Sequence, residues 1–328
     1  MSVSFRKSKL PLVPLFIVIL LVVVLICLIY LLVFKWEESL NSSYGVAETK
    51  NILEYNDNSY IIDPMIQTFM ILGLDTVEAL EDSESYNNEY QSDFISVVAI
   101  DNDNNEYTIL QINRDTMVDI PVLGLNGQIA SSYEGQITLA YNSGSGLEDS
   151  CENTSLALSN YLLDIPIDNY ISISMGAVPI INDSVGGVTV TIEDDFSGAD
   201  DSLVLGETIT LNGEQALNFV QNRGGVSDQT NINRMARQRQ YLTAFFEILE
   251  DDETSIATSL LTELSSYMVT DSTVNTLSRV IEKLEDYEFL GFVTLDGESI
   301  EVDGYMQYIV DETSLYETVI DLFYKQYN

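Results

Sequence analysis

Apolar and polar positions divide this 328-residue chain into three unequal parts. Residues 11–34, PLVPLFIVILLVVVLICLIYLLVF, run for twenty-four positions without a charge, long enough as a helix to span a hydrocarbon core of about 30 Å. No small-x-small cleavage site follows, so the run reads as a transmembrane anchor and not as a cleaved signal. Residues 35–66 are polar, rich in Ser, Asn, Glu and Tyr, and predict a stalk. Beyond them short apolar runs recur. Residues 69–74, 94–100 and 107–112 read as strands, 149–163 as a helix, 170–175 and 187–192 as strands, and 213–220 and 228–249 as helices. A helix at 272–284, strands at 289–295 and 305–310, and a helix at 312–324 complete the pattern. Strands alternating with helices predict an α/β layered sheet in one domain, residues 67–328.

Charge orients this arrangement. Arg6, Lys7 and Lys9 precede the apolar run and all 52 acidic residues follow it, so the positive-inside rule puts residues 1–10 in the cytoplasm and the domain outside the cell. With 13 basic residues and a net charge of -39, the chain lacks the basic footprint that nucleic acid or an anionic lipid surface needs. Histidine is absent. That removes histidine-dependent triads and histidine zinc sites, leaves acid–base chemistry to Asp or Glu, and points any metal site to a hard cation bound by oxygen. Cys27 lies in the apolar run and Cys151 stands alone beyond it, which leaves no intrachain disulfide.

Nine basic residues lie beyond Lys35, and four of them fall within seventeen positions of QNRGGVSDQTNINRMARQRQ, residues 221–240. Asp228 is placed to open the helix there, where an acid caps amides and suits the dipole. Arg234, Arg237 and Gln238 stand at i, i+3 and i+4 and share one face, whereas Arg239 lies about 140° from Arg234. Arg223 precedes the helix in a loop. The guanidinium is a permanently charged planar fork that matches phosphate oxygens; the alternative is a solvated helix face. Ligands of α/β sheets gather at the carboxyl ends of strands. Asp75 ends one predicted strand, Asp93 opens the next, and Arg114-Asp115 ends a third. Each Asp taken alone also fits a turn or a cap.

These residues resemble the LytR-CpsA-Psr family of membrane-anchored cell-wall assembly enzymes. The likeness rests on GLD at 73–75, SDF at 92–94, NRDTMVDIP at 113–121, IPIDNYISISM at 165–175, VGGVTV at 185–190, LNGEQALNFVQNR at 211–223, and Asp228 with RMARQRQ at 234–240. It implies a three-layer α/β/α sandwich with a central mixed sheet behind one N-terminal transmembrane helix, with the motif-bearing core at about 69–250. It also implies transfer of a glycan phosphate from a polyprenyl-pyrophosphate carrier to a peptidoglycan hydroxyl. The product would be a phosphodiester between peptidoglycan and a polymer such as teichoic acid or capsule. Carried across, Asp75 and Asp93 match the acids that hold Mg²⁺ (or Mn²⁺). Arg114, Arg223, Arg234 and Gln238 match the pyrophosphate set and Asp228 matches a supporting acid. With Gln221 and Arg237 these are the expected substrate-binding residues, and Asp75, Asp93, Arg114, Arg223 and Arg234 are the expected catalytic ones.

The sequence also departs from the family. Val77 and Gln91 stand where arginines are frequent, an RxR pair is reduced to Gln221-Asn222-Arg223, and a glycine pair appears as Gly144-Ser145-Gly146. Gln can donate a hydrogen bond but cannot neutralise phosphate. Two other readings therefore stand beside the transferase. One is a non-catalytic, regulatory member that binds prenyl lipid or wall polymer. The other is a pyrophosphate hydrolase using water on the same site.

Overall fold

The computed structural model describes residues 52–83, 88–123, 128–250 and 260–327. The predicted tail and anchor, residues 1–10 and 11–34, lie outside them. Among the described residues no helix is long and apolar enough to cross a membrane. Leu53–Tyr55 (β1) and Asn58–Ile62 (β2) form a hairpin. Its turn holds Asn56 and Asp57 at positive φ, 49° and 61°, a conformation these two residue types tolerate. β2 also pairs with the last strand of the chain. The stretch predicted as a stalk, 35–66, is therefore folded structure from Leu53 onward. Its polar strands lack the apolar runs by which the inner strands are recognised.

Ile66–Leu74 (β3), Ser92–Asp101 (β4) and Glu106–Ile112 (β5) follow, then the hairpin Met117–Leu123 (β6) and Ile129–Gln136 (β7). A 3-10 turn, Ile137–Asn142, leads to the helix Glu148–Tyr161 (α1), the strand Asn169–Ser174 (β8) and the helix Ala177–Ser184 (α2). The strands Thr189–Thr191 (β9) and Thr208–Thr210 (β10) pair with each other. Next come the helices Gly213–Gln221 (α3) and Asn231–Glu250 (α4), the strand Met268–Thr270 (β11), the helix Val274–Glu285 (α5), and Glu288–Thr294 (β12). The hairpin Gly297–Val302 (β13) and Tyr305–Val310 (β14), the helix Glu312–Phe323 (α6) and the strand Tyr324–Gln326 (β15) end the chain. α3 begins with a capping box, the Asn212 side chain and Gln215 each accepting from the other's backbone N–H.

Six strands make the central sheet in the order β11-β8-β3-β4-β5-β12. β3 is parallel to β8 and β5 to β12, while the other neighbours are antiparallel. The sheet is mixed, as predicted. Side chains alternate between its faces, and both faces are buried. Met70, Leu72, Leu74, Ile95, Val97, Leu110 and Ile112 pack against Cys151, Ala157 and Leu158 of α1 and Val319 and Phe323 of α6. Phe69, Val98, Ile100, Ile109 and Ile171 pack on the other side with Phe246 of α4 and Leu277 of α5. Each such fully buried apolar side chain stabilises the fold by about 1.5–3 kcal/mol.

The sheet carries one irregularity that matters for the site. Gly73 pairs with Phe94 and Leu74 with Ser92, so Asp93 is the extra residue of a β-bulge. A bulge re-aims the side chain it carries. Gly73 serves this register, since a Cβ there would lie 3.0 Å from Phe94 Cβ.

Candidate active site

β3, β4 and β5 are neighbours, with β4 antiparallel to the other two, so Asp75, Asp93 and Arg114 reach the same end of the sheet. α4 brings Arg234 to them across its first turns. It begins at Asn231, three residues after the predicted start at Asp228. Asp228 stands instead in the turn before the helix and accepts from Thr230 N, Thr230 Oγ1 and Asn233 Nδ2. Thr230 Oγ1 in turn accepts from Asn233 N–H, which is the role of a cap. These hydrogen bonds hold the Asp228 carboxyl below its usual range.

One hydrogen-bonded chain joins the charged residues. Asp75 donates its N–H to Gln91 O at 3.0 Å, and its Oδ1 accepts from Gln91 N at 2.8 Å. Gln91 Oε1 accepts from Arg114 Nη2 at 2.6 Å. Arg114 Nη1 donates to Asp93 Oδ1, and Arg234 Nη1 donates to Asp93 Oδ2 at 2.6 Å. Arg234 Nε and Nη2 both donate to Asn231 Oδ1, and Asn231 Nδ2 donates to Asn113 Oδ1. Asp93 is thus a buried carboxylate with one guanidinium on each oxygen. Asp115 Oδ1 lies 3.5 Å from Arg114 Nε and accepts from Gln136 Nε2, which also donates to Met306 O. The C-terminal hairpin therefore braces the residue beside Arg114.

Burial first, and the neighbouring guanidinium second, push Arg114 down to about 10. Arg234 is pushed down to about 10 by burial first and then by Arg223. Both stay charged at neutral pH. Burial raises the Asp115 carboxyl against the pull of the three arginines. Arg223 lies close enough to act on Arg114, Asp115 and Arg234. Its loop is held in unusual backbone: Gly225 at φ 75°, Ser227 at 41° and Gln229 at 61°. A Cβ on Gly225 would come within 2.4 Å of Gly198 O, so the loop packs backbone to backbone on the segment at 194–198. Non-glycine residues held at positive φ mark a site where surrounding structure overrides local preference.

The shared face predicted for Arg234, Arg237 and Gln238 divides. Arg237 Nε donates to Phe219 O, Nη2 to Asn222 O and Nη1 to Asp194 Oδ2, and its guanidinium lies 5.2 Å from the Phe196 ring centroid. Asp194 Oδ1 accepts from Ser227 Oγ. Arg237 thus binds the end of α3 and, through Asp194, the loop that carries Arg223. Gln238 is buried, accepting from Gln111 Nε2 and donating to Val220 O. Both reach the end of α3, Arg237 through Phe219 O and Asn222 O and Gln238 through Val220 O, while Gln238 also meets Gln111 of the sheet. Arg239 donates to Gln111 Oε1, away from Asp93, in keeping with its predicted angle. Gln221, at the end of α3, is partly buried. Asn113, Asn231, Gln136 and Asp194 were not singled out by the sequence. Asn113 adjoins Arg114 and Asp194 lies in an acidic run, but Gln136 offered no signal.

Of the two acids expected to hold a hard cation, Asp93 has a guanidinium on each oxygen and Asp75 has one oxygen open. Asp75 is exposed, and its Oδ2 meets no donor among the described residues. No group of three or more His, Cys, Asp or Glu that could hold a metal occurs among the described residues. An ion here would take one or two carboxylates and complete its shell from water and phosphate, as Mg²⁺ commonly does.

A model of the LytR_cpsA_psr family matches residues 37–322. The polyisoprenyl-teichoic acid–peptidoglycan teichoic acid transferase TagU of Enterococcus faecalis is 26% identical over 282 residues, 85% of this chain and 84% of that one. Biofilm regulatory protein A of Streptococcus mutans is 26% identical over 80% of this chain and 62% of its own length. The structure of TagT bound to LIIa-WTA superposes with a TM-score of 0.61 at 19% identity, over 85% of this chain and 96% of that one. This last likeness is one of fold.

Proposed function

Because the chain belongs to the LytR-CpsA-Psr family, we propose that it transfers a glycan phosphate from a polyprenyl-pyrophosphate carrier to a peptidoglycan hydroxyl. The observation that carries the reading is the convergence of Arg114, Arg223 and Arg234 with Asp75 and Asp93 at one end of the sheet. Guanidinium forks fixed by Gln91 and Asn231 are preorganised donors for charge that develops on a pyrophosphate as its bridging bond breaks. The acceptor oxygen forms a bond to the phosphorus that carries the glycan, the bridging P–O bond breaks, and the lipid phosphate leaves with the electron pair. With no histidine in the chain, the hydroxyl proton passes to a carboxylate. Asp75 and Asp93 would hold a Mg²⁺ or Mn²⁺ ion that neutralises phosphate charge. Arg237 and Gln238 serve as supports and not as phosphate ligands. Gln91, where an arginine is frequent in the family, steadies Arg114 through its amide oxygen.

The similarity to TagU, a teichoic acid transferase, supports teichoic acid as the transferred polymer, and the uncharged run at 11–34 supports a membrane anchor with the domain outside the cell. Asp75→Ala tests the metal assignment. Its side chain is exposed, so the variant should keep the fold and its thermal midpoint while losing transfer that Mg²⁺ restores in the parent. Full activity of Asp75→Ala in chelator would refute the assignment. A parent that binds lipid-linked glycan yet forms no joined product in Mg²⁺ would favour the regulatory reading.

A further inference from the structure

Each oxygen of Asp93 takes one guanidinium, from Arg114 on one side and Arg234 on the other. Two forks converging on one carboxylate is also the arrangement by which two arginines hold a phosphate group. Each fork also has a partner other than Asp93. Gln91 accepts from Arg114 Nη2, Asp115 lies 3.5 Å from its Nε, and Asn231 accepts from two nitrogens of Arg234. Arg223 makes no ion pair among the described residues. The three arginines therefore face three carboxylates, Asp75, Asp93 and Asp115, and the charge of the cluster is balanced. An incoming phosphate must displace Asp93 from both guanidinia, and stripping a buried carboxylate of its partners is costly.

We propose that Asp93 is a specificity-determining residue whose carboxylate occupies the phosphate position between Arg114 and Arg234. The site then admits a pyrophosphate that arrives with a divalent cation and turns away phosphate esters that arrive without one. The displaced Asp93 carboxylate would serve as a ligand for that cation, so ion and pyrophosphate would each favour the other's binding, as linkage requires. Pyrophosphate chelates a divalent ion through oxygens on both phosphorus atoms, whereas the single charge of a phosphodiester holds such an ion weakly. On the reading of this cluster as a pyrophosphate site, on which the inference rests, Asp93 would keep the arginines free of the phosphodiesters that the transfer itself produces.

The test is calorimetric titration of the full chain in detergent with inorganic pyrophosphate, in chelator and in Mg²⁺. The parent should bind at least about tenfold more tightly in Mg²⁺. Asp93→Asn should bind pyrophosphate in chelator about tenfold more tightly than the parent does and lose most of the Mg²⁺ effect. An amide bridging two guanidinia would turn donors toward one of them and compete poorly. Asp75→Asn should weaken the Mg²⁺ effect without tightening binding in chelator, because Asp75 does not occupy the arginines. Glycerol 3-phosphate should bind Asp93→Asn and not the parent. If circular dichroism shows that Asp93→Asn is unfolded, Asp93→Ser takes its place. A parent that binds pyrophosphate in Mg²⁺, beside a folded Asp93 variant no tighter in chelator, overturns the inference alone. A parent that binds no pyrophosphate in either buffer overturns the pyrophosphate reading with it.

Discussion

Arg234→Ala should lower the turnover of lipid-linked glycan by on the order of 100-fold to 1,000-fold, the usual loss when one preorganised donor to a developing charge is removed. Its guanidinium is fixed by Asn231 at Nε and Nη2, which leaves Nη1 aimed at the Asp93 position. Arg234→Lys should also be poor, because an ammonium keeps the charge but cannot fill both roles of the fork. Arg239 supplies the control from the same helix. It donates to a neutral amide, Gln111 Oε1, and Arg239→Ala should change turnover little. Steady-state rates normalised to folded protein decide the matter. If the Arg234 and Arg239 variants both stay near the parent, the cluster is a buried structural ion-pair network and not a phosphate site.

Arg237→Ala should act on stability before it acts on catalysis. Removing one partner of a buried ion pair costs about 3–5 kcal/mol, and here the deletion also leaves the carbonyls of Phe219 and Asn222 without their donor. The same deletion frees Asp194, which holds Ser227 in the loop of Arg223. The thermal midpoint should fall by several degrees, and the surviving folded protein should bind substrate less tightly. Chemical denaturation measures the first effect. A loss within about 1 kcal/mol, the range of an exposed pair, would mean that the staple contributes little.

The inner strands could be read from the sequence almost to the residue because their alternation is dictated by two apolar faces. β3, β4, β5 and β8 differ from their predicted limits mainly at their ends. β7 could not be read so: IASSYEGQ is polar and exposed along most of its length, and its strand character comes from pairing with β6. The hairpin at 53–62 was hidden for the same reason, its order depending on a strand at the far end of the chain. At the site, strand ends and helix spacing brought Asp93, Arg114 and Arg234 together correctly. They could not reveal the β-bulge that turns Asp93 between two arginines, since a bulge is a property of register between strands. Nor could the spacing of Arg237 say which neighbour it meets, because α3 and the 194–198 segment lie elsewhere in sequence.

The central claim is transfer, and it is tested by incubating the detergent-purified full chain with a polyprenyl-pyrophosphate-linked glycan and a peptidoglycan fragment in Mg²⁺. Mass spectrometry of both phases should find polyprenyl monophosphate and, in equal amount, the glycan joined to the fragment through a phosphodiester, with both formed at least on the order of 100-fold more slowly by Arg234→Ala. Intact lipid-linked glycan, or glycan phosphate released into water with no joined product, would contradict the account.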